Sequence, residues 1–277
     1  MSTTSRRAFV AMAASSARIL GANDRIRGAA IGLGGRGAYL TANFKELGVE
    51  MAAVCDVWEP RRASGLKAAS TGARAYDNYR RMLEDKSIDV VVIATPDHWH
   101  AQMSIDAVEA GKDVYVEKPM ALTIEDAYRM EDAVRRTRRV LQVGSQRRSS
   151  EICLEARKTV ESGTLGTVRL LNCWWHGRTI SQLRQRKLEG HLDWEQWLGP
   201  APKRPFDPIR FFNWLWFWEY GGGYMIGQTV HILDATHMFM NPGHPLAVTA
   251  LGKNSIPGSE IPETTSISVE YRDYLAV

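Results

Sequence analysis

In the first half of the chain, apolar residues come in short runs separated by stretches with helical spacing. Residues 27–33 (RGAAIGL) form an apolar run that enters a glycine cluster. Over residues 38–47, Tyr39, Leu40, Phe44 and Leu47 recur at intervals close to a helical turn. Residues 50–57 (EMAAVCDV) read as a second strand, 61–69 as a polar helix and 77–85 as a short helix. Residues 89–95 (DVVVIAT) are almost continuously apolar, as a parallel strand covered on both faces should be. A helix over 101–110 stops at Gly111, a strand follows at 113–117, then a long helix at 124–139 and a strand at 140–144. This alternation predicts a doubly wound parallel sheet. Arg135, Arg136, Arg138 and Arg139 end the long helix, where the helix dipole favours cations.

The second half is patterned differently. Residues 167–176 (TVRLLNCWWH), 246–251 and 265–277 (TSISVEYRDYLAV) read as strands. Seven of the nine tryptophans fall between Trp174 and Trp218. Aromatic faces stack on the C–H faces of sugars, which makes a carbohydrate site attractive. Tryptophan is equally at home in cores and interfaces, so most of these rings are expected to be structural.

Composition narrows the function classes. Charged residues make up 24% and hydrophobic ones 44%, which is ordinary for a folded protein. The net charge of +4 is small and the basic residues are dispersed, so a nucleic-acid partner is not expected. No apolar run approaches the roughly 18–20 residues that span a bilayer, so no integral membrane segment is expected. Cys55, Cys153 and Cys173 are far apart and suggest neither disulfides nor a zinc knuckle; Cys55 reads as a core residue. Arg6-Arg7, followed by an apolar stretch over 8–17, resembles a twin-arginine export signal. Residues 1–25 are therefore expected to be a leader and the protein periplasmic or exported, the alternative being cytoplasmic. The strand at 265–277 needs an earlier strand as partner, or the sequence is a fragment.

Candidate chemistry begins at Gly32-Leu33-Gly34-Gly35-Arg36-Gly37, a G-x-G-x-x-G between a strand and a helix. The first glycine permits the tight turn, the second lets backbone approach a pyrophosphate, and the third allows close helix–strand packing. Asp56 ends the next strand, where its carboxylate can accept both hydroxyls of an adenosine ribose and would repel a 2′-phosphate. NAD is therefore favoured over NADP, with Arg61 and Arg62 weakening the preference.

Two further motifs follow strands on the same edge: Thr95-Pro96-Asp97-His98-Trp99-His100 and Glu117-Lys118-Pro119. With the glycine loop, and with Val143-Gly144-Ser145-Gln146-Arg147-Arg148, Leu192-Asp193-Trp194 and Trp218-Glu219-Tyr220-Gly221-Gly222-Gly223, they resemble the Gfo/Idh/MocA oxidoreductases, in particular an exported bacterial branch. This is the family of glucose–fructose oxidoreductase and inositol dehydrogenase, and the resemblance covers about residues 26–277.

The resemblance implies an α/β protein: an N-terminal Rossmann domain over 26–147, then an α+β domain over 148–277 with an open, mostly antiparallel sheet. That second domain would carry substrate and build homo-oligomers, and at this length looks incomplete. The resemblance implies that Lys118 lies near the reacting carbinol and stabilises its oxygen, with a cis Lys118–Pro119 bond. Thr95, Pro96, His98 and His100 would line the nicotinamide side, with Gln146. Glu117 would bind a ribose hydroxyl or neutralise Lys118. Arg147, Tyr220, Tyr224, Gln228 and His231 are candidates for substrate.

The chain departs from the family pattern at one place. Relatives carry Asp and His one helical turn apart after the glycine run, one as base and the other orienting it. Here Gly227 stands at the Asp position, while His231 keeps the His. Asp234 could orient His231 instead. His231, Asp234 and His237 also suggest a metal site, but the family speaks against it and no metal is expected.

The expected function is NAD(H)-dependent hydride transfer with a sugar, cyclitol or related polyol, Lys118 and His231 being catalytic. Redox-assisted glycoside cleavage with recycled NAD, or a non-catalytic or truncated NAD-binding protein, are the alternatives.

Overall fold

A computed structural model describes residues 25–175 and 181–277; the twin-arginine stretch and residue 176 lie outside them. The chain forms two compact units, one ending at Gly144 and reclaiming Lys187–Pro208, the other made of Ser145–Arg186 and Ile209–Val277. The expected boundary after residue 147 thus lies at 144, and the return of residues 187–208 to the first unit was not foreseen.

The first unit alternates as the sequence pattern requires. Its elements are β1 (Arg27–Ile31), α1 (Gly35–Glu46), β2 (Glu50–Cys55), α2 (Glu59–Ala68), β3 (Arg74–Tyr76), α3 (Tyr79–Leu83), β4 (Val90–Ile93), α4 (His100–Glu109), β5 (Asp113–Glu117), α5 (Ile124–Thr137) and β6 (Leu141–Gly144). All six strands are parallel, in the order β3-β2-β1-β4-β5-β6. Period-two alternation sorts the strand residues onto two faces. Ala29, Ile31, Val91 and Ile93 pack with Met103, Val108 and Met130 from α4 and α5. Ala30, Val54, Val90 and Val92 pack with Leu40 and Phe44 from α1. Burying each large aliphatic side chain contributes about 1.5–3 kcal/mol, so both helix layers are fixed by the strands they cover. Cys55 is buried in the first cluster, as read from sequence. Strand β3 was not anticipated: it is three residues long and mostly exposed, so it has no apolar signature.

Helix ends follow local chemistry. The Thr123 side chain accepts from the Asp126 N–H at the start of α5, with Glu125 and Asp126 in the first turn. At its other end Arg136 pairs with Glu109 and Arg135 with Glu131, so these arginines are surface ion pairs.

The returning segment 187–208 is held by polar groups that follow β2 and β4. The Trp58 indole N–H donates to the Glu189 carbonyl (2.7 Å), and Asp193 N–H to the Val57 carbonyl (3.0 Å). The Trp99 indole N–H donates to the Trp197 carbonyl at 2.8 Å. Tryptophans that pattern alone would assign to the second domain, Trp194 and Trp197, stack on each other here at 4.7 Å.

The second unit contains α6 (Glu151–Glu161), β7 (Leu170–Leu171), α7 (Gly223–Met240), β8 (Ala247–Lys253), β9 (Thr264–Glu270) and β10 (Leu275–Ala276). Its sheet has the order β7-β10-β9-β8; β8–β9 and β9–β10 are antiparallel and β10–β7 parallel. The expected single strand over 265–277 is therefore a hairpin. Arg272 and Asp273 interrupt the apolar pattern, and Tyr271 N–H closes the turn on the Tyr274 carbonyl at 3.0 Å. The expected strand over 167–176 is regular only at Leu170–Leu171, where it pairs with β10. Among the described residues no helix is long and apolar enough to cross a membrane.

Candidate active site

The glycine loop leaves the C-terminal end of β1 at the centre of the six-stranded sheet, where the strand order reverses. Gly32 has φ +81°, and a Cβ there would lie 2.7 Å from the Ala94 carbonyl oxygen. A Cβ on Gly37 would lie 1.7 Å from the Gly32 carbonyl oxygen. Both glycines are thus demanded by the protein's own packing. At Gly34 and Gly35 a Cβ would meet nothing within 4 Å. Glycine at those two positions answers to something that must approach the backbone, as a pyrophosphate does. The first turn of α1 has no side-chain cap and no acidic residue, which leaves its N–H groups and positive dipole end for an anion.

Asp56 lies beside this loop. One carboxylate oxygen accepts the Leu33 N–H at 2.7 Å and the other the Trp58 N–H at 2.9 Å. Each oxygen retains a further acceptor site, so two ribose hydroxyls can still be bound. Burial raises the Asp56 pKa; the two N–H donors, Arg61 and Arg62 oppose the shift. The Arg62 guanidinium donates to the Asp56 carbonyl at 2.7 Å, and the Arg61 guanidinium lies over the Trp58 ring, 5.4 Å from its centroid. Both arginines are engaged within the fold, which favours a ribose diol over a 2′-phosphate. Leu33 itself is fully buried and contributes backbone only.

The ends of β4 and β5 carry the other motifs. Thr95 Oγ1 is buried and has no hydrogen-bond partner among the described residues, so a polar ligand atom suits it. Pro96 opens a single 3-10 turn, Asp97–Trp99. Two residues expected to touch the cofactor are turned into the protein instead. His98 is 7% exposed, with Nε2 3.0 Å from the Trp197 carbonyl oxygen. His100 is 1% exposed, its Nδ1 2.6 Å from the Pro119 carbonyl oxygen and its Nε2 3.0 Å from that of Thr95. Burial lowers the His100 pKa, while the Pro119 and Thr95 carbonyls and the Glu117 charge oppose the shift.

The Lys118–Pro119 bond is cis, as the resemblance implied. Lys118 follows β5 directly and is partly exposed. Glu117 is buried and makes a contact that the sequence reading did not include. Its Oε1 accepts from Arg36 Nε and Nη2, both at 2.7 Å. The glycine loop and the E-K-P motif are therefore joined by an ion pair between residues 81 positions apart. No spacing rule in the sequence marks this pair.

In the second unit, Gln146 and Arg147 lie in the turn after β6. Arg147 has φ +82°, unusual for a residue with a Cβ. Its guanidinium lies over Trp175 at 4.9 Å, and Trp175 stacks on His231 at 5.8 Å and 20°. Trp175 was not among the expected site residues. Arg148 binds both oxygens of Asp234 at 2.7 and 2.9 Å, so Asp234 serves Arg148 and does not orient His231. His237 meets the Tyr271 hydroxyl at 3.0 Å. Tyr220 is fully buried. Tyr224 packs edge-on to Trp216 at 4.9 Å, and Gln228 lies partly buried on α7. Gly227 is buried on α7, where a Cβ would meet only Leu215 Cδ1 at 3.7 Å.

Two family models match this chain, one for each part. The model of the Gfo/Idh/MocA oxidoreductase family with NAD-binding Rossmann fold matches residues 26–145, and that of the Gfo/Idh/MocA C-terminal domain residues 153–277. The inositol 2-dehydrogenase of Salmonella typhimurium is 32% identical over 132 residues, 47% of this chain and 38% of that protein. A glycosyl hydrolase family 109 protein of Shewanella pealeana is 34% identical over 126 residues, 42% of this chain and 27% of that protein. The matches thus span less than half the length of these relatives. Among solved structures, the WlbA dehydrogenase of Bordetella pertussis, in complex with NADH and UDP-GlcNAcA, has a TM-score of 0.70 at 22% identity, covering 91% of this chain and 69% of that one. The myo-inositol 2-dehydrogenase of Lactobacillus plantarum has a TM-score of 0.68 at 22% identity, covering 91% and 68%. These structures share the fold. With both units matched by models of one family and the glycine loop, Asp56 and Lys118 set along one sheet edge, the chain belongs to the Gfo/Idh/MocA oxidoreductases and carries their NAD-binding Rossmann domain.

Proposed function

We propose that the protein is an NAD(H)-dependent oxidoreductase acting on a carbinol of a sugar, cyclitol or related polyol. The observation that carries this reading is the row formed by Asp56, the glycine loop and Lys118 at the C-terminal ends of β2, β1 and β5, where open α/β sheets bind dinucleotides. The glycine loop and the start of α1 would hold the pyrophosphate, Asp56 the adenosine ribose, and Thr95 with Lys118 the other half. A bound nicotinamide supplies the hydride acceptor or donor. Lys118 hydrogen-bonds the substrate oxygen and stabilises it as it gains alkoxide character. His231 takes or returns the hydroxyl proton. Arg147, Gln228 and Tyr224 would contact substrate, beside Trp175.

The family 109 relatives favour a second reading, glycoside cleavage in which NAD oxidises a sugar hydroxyl, is reduced, and is restored within one turnover. The same residues serve. We further propose that Arg6-Arg7 directs export to the periplasm and that the second-unit sheet, whose strand β8 is exposed along its whole length, forms a homo-oligomer.

The test is native purification followed by mass spectrometry for bound nicotinamide nucleotide. NADH formation is then assayed on a panel of inositols, hexoses and nitrophenyl glycosides. Net NADH from a polyol supports the dehydrogenase; aglycone release without net NADH supports the second reading. No nucleotide and no NADH binding would sink both.

A further inference from the structure

His100 reaches no surface, being 1% exposed, yet it stands at the ligand edge of the sheet. The ladder between β4 and β5 pairs Val90–Ile93 with residues 113–116. Past that ladder, Thr95 follows β4 by two residues and Pro119 follows β5 by two. The His100 imidazole spans the distance, with one ring nitrogen on each of the two carbonyl oxygens, at 3.0 Å from Thr95 and 2.6 Å from Pro119. Both partners are carbonyl acceptors and a neutral imidazole has one N–H, so one contact is a donated hydrogen bond; the shorter, Nδ1–H to Pro119, is assigned that role, and Nε2 packs against the Thr95 carbonyl. Lys118 precedes that proline directly, so whatever fixes the Pro119 carbonyl also fixes the backbone from which Lys118 projects.

Position along the sheet edge decides which part of a dinucleotide this affects. Asp56, on β2, marks the adenosine side of the glycine loop. β4 and β5 lie on the opposite side of β1, which in this strand order is the side of the second nucleotide. We infer that His100 is a positioning residue for the nicotinamide half of the cofactor, donating to the Pro119 carbonyl and packed against the Thr95 carbonyl so that the two strand ends flanking that half keep their spacing. The inference rests on the cofactor reading above. It differs from direct binding, because His100 touches no ligand and acts only through Thr95 and the Lys118–Pro119 backbone.

The test compares two ligands of the intact chain. NADH carries both halves; ADP carries the adenosine and both phosphates and lacks the second ribose and nicotinamide. Dissociation constants are measured for NADH by fluorescence and for ADP by calorimetry, in the wild type, His100→Ala and His100→Asn. His100→Ala should weaken NADH about tenfold and leave ADP within about twofold. His100→Asn, whose amide can still donate toward Pro119, should recover most of the NADH affinity. A histidine that merely supports the fold would weaken both ligands by the same factor, or neither; either result overturns the inference. Should His100→Ala fail to fold, His100→Leu, which fills the site but donates no hydrogen bond, is read by the same criterion, and a loss not confined to NADH overturns it. A wild type that binds no NADH overturns the cofactor reading itself, and is seen before any variant is measured.

Discussion

Arg36 of the glycine loop and Glu117 at the end of β5 form an ion pair in which the carboxylate is 4% exposed and the guanidinium 40%. The pair ties the loop that would hold the phosphates to the strand end that carries Lys118. Removing Arg36 would strand a buried carboxylate, which costs about 3–5 kcal/mol, while removing both charges costs much less. Arg36→Leu should therefore lower unfolding stability strongly. Arg36→Leu with Glu117→Gln should be less destabilised than the sum of the singles, as measured by urea unfolding. Strict additivity would show that the pair is not coupled.

The four glycines of the loop answer to different demands. Gly37→Ala places a Cβ against the Gly32 carbonyl and should lower Tm by several degrees. Gly34→Ala meets nothing in the protein, so its Tm should stay within about a degree, whereas NADH affinity should fall about tenfold or more. Thermal scans beside NADH titrations separate the two. A Gly34→Ala variant with wild-type affinity would contradict phosphate approach at this backbone.

Lys118→Ala should lower kcat by about 10²–10³-fold with little change in NADH affinity, because its proposed contact is with the developing oxygen charge. Steady-state kinetics on whichever polyol the panel identifies, beside NADH titration, decides this. Unchanged turnover would remove Lys118 from the chemistry.

Gly227 sits buried in the interior of α7 with room for a methyl group. Gly227→Ala should stabilise the protein by about 0.5–1 kcal/mol, since glycine in a helix interior is the less favourable residue. Gly227→Asp supplies a carboxylate one turn before His231, and should raise kcat and shift its acidic pH limb if His231 is the base. A flat response in both would argue that His231 does not move the proton.

His100 carries a pH signature. Its folded pKa lies below the ordinary imidazole value of 6.5, mainly through burial. The unfolded chain therefore binds the proton more readily, and stability falls as pH drops from about 6.5 toward the lower folded pKa. Between pH 7.5 and 5, the wild type should lose more Tm than His100→Asn does. Parallel losses would mean that His100 is not the group responsible.

Periodicity made most of the first unit legible. The continuous apolar run at 89–95 and the helical spacing at 38–47 mark a strand covered on both faces and a helix that covers it, so the alternation of a doubly wound parallel sheet follows from the chain itself, while the strand order comes from the structure. The glycine loop and Asp56 were equally readable, because turn conformation and backbone approach restrict residue type at fixed spacing. β3 was invisible because it buries almost nothing, and the hairpin at 264–276 was hidden because Tyr271 and Tyr274 keep the aromatic pattern running through the turn.

What only the tertiary structure decided are partnerships between groups distant in sequence. A carboxylate, a histidine and an arginine carry the same chemistry wherever they stand, and spacing does not say which of them meet. So Glu117 goes to Arg36, Asp234 to Arg148, and His231 to Trp175. His98 and His100, whose motif pointed to a ligand, turn inward because carbonyls at the strand ends and in the returning segment need partners. The sequence by itself determined the fold class and the family of chemistry; burial and long-range pairing decided which of its polar residues are free to carry that chemistry out.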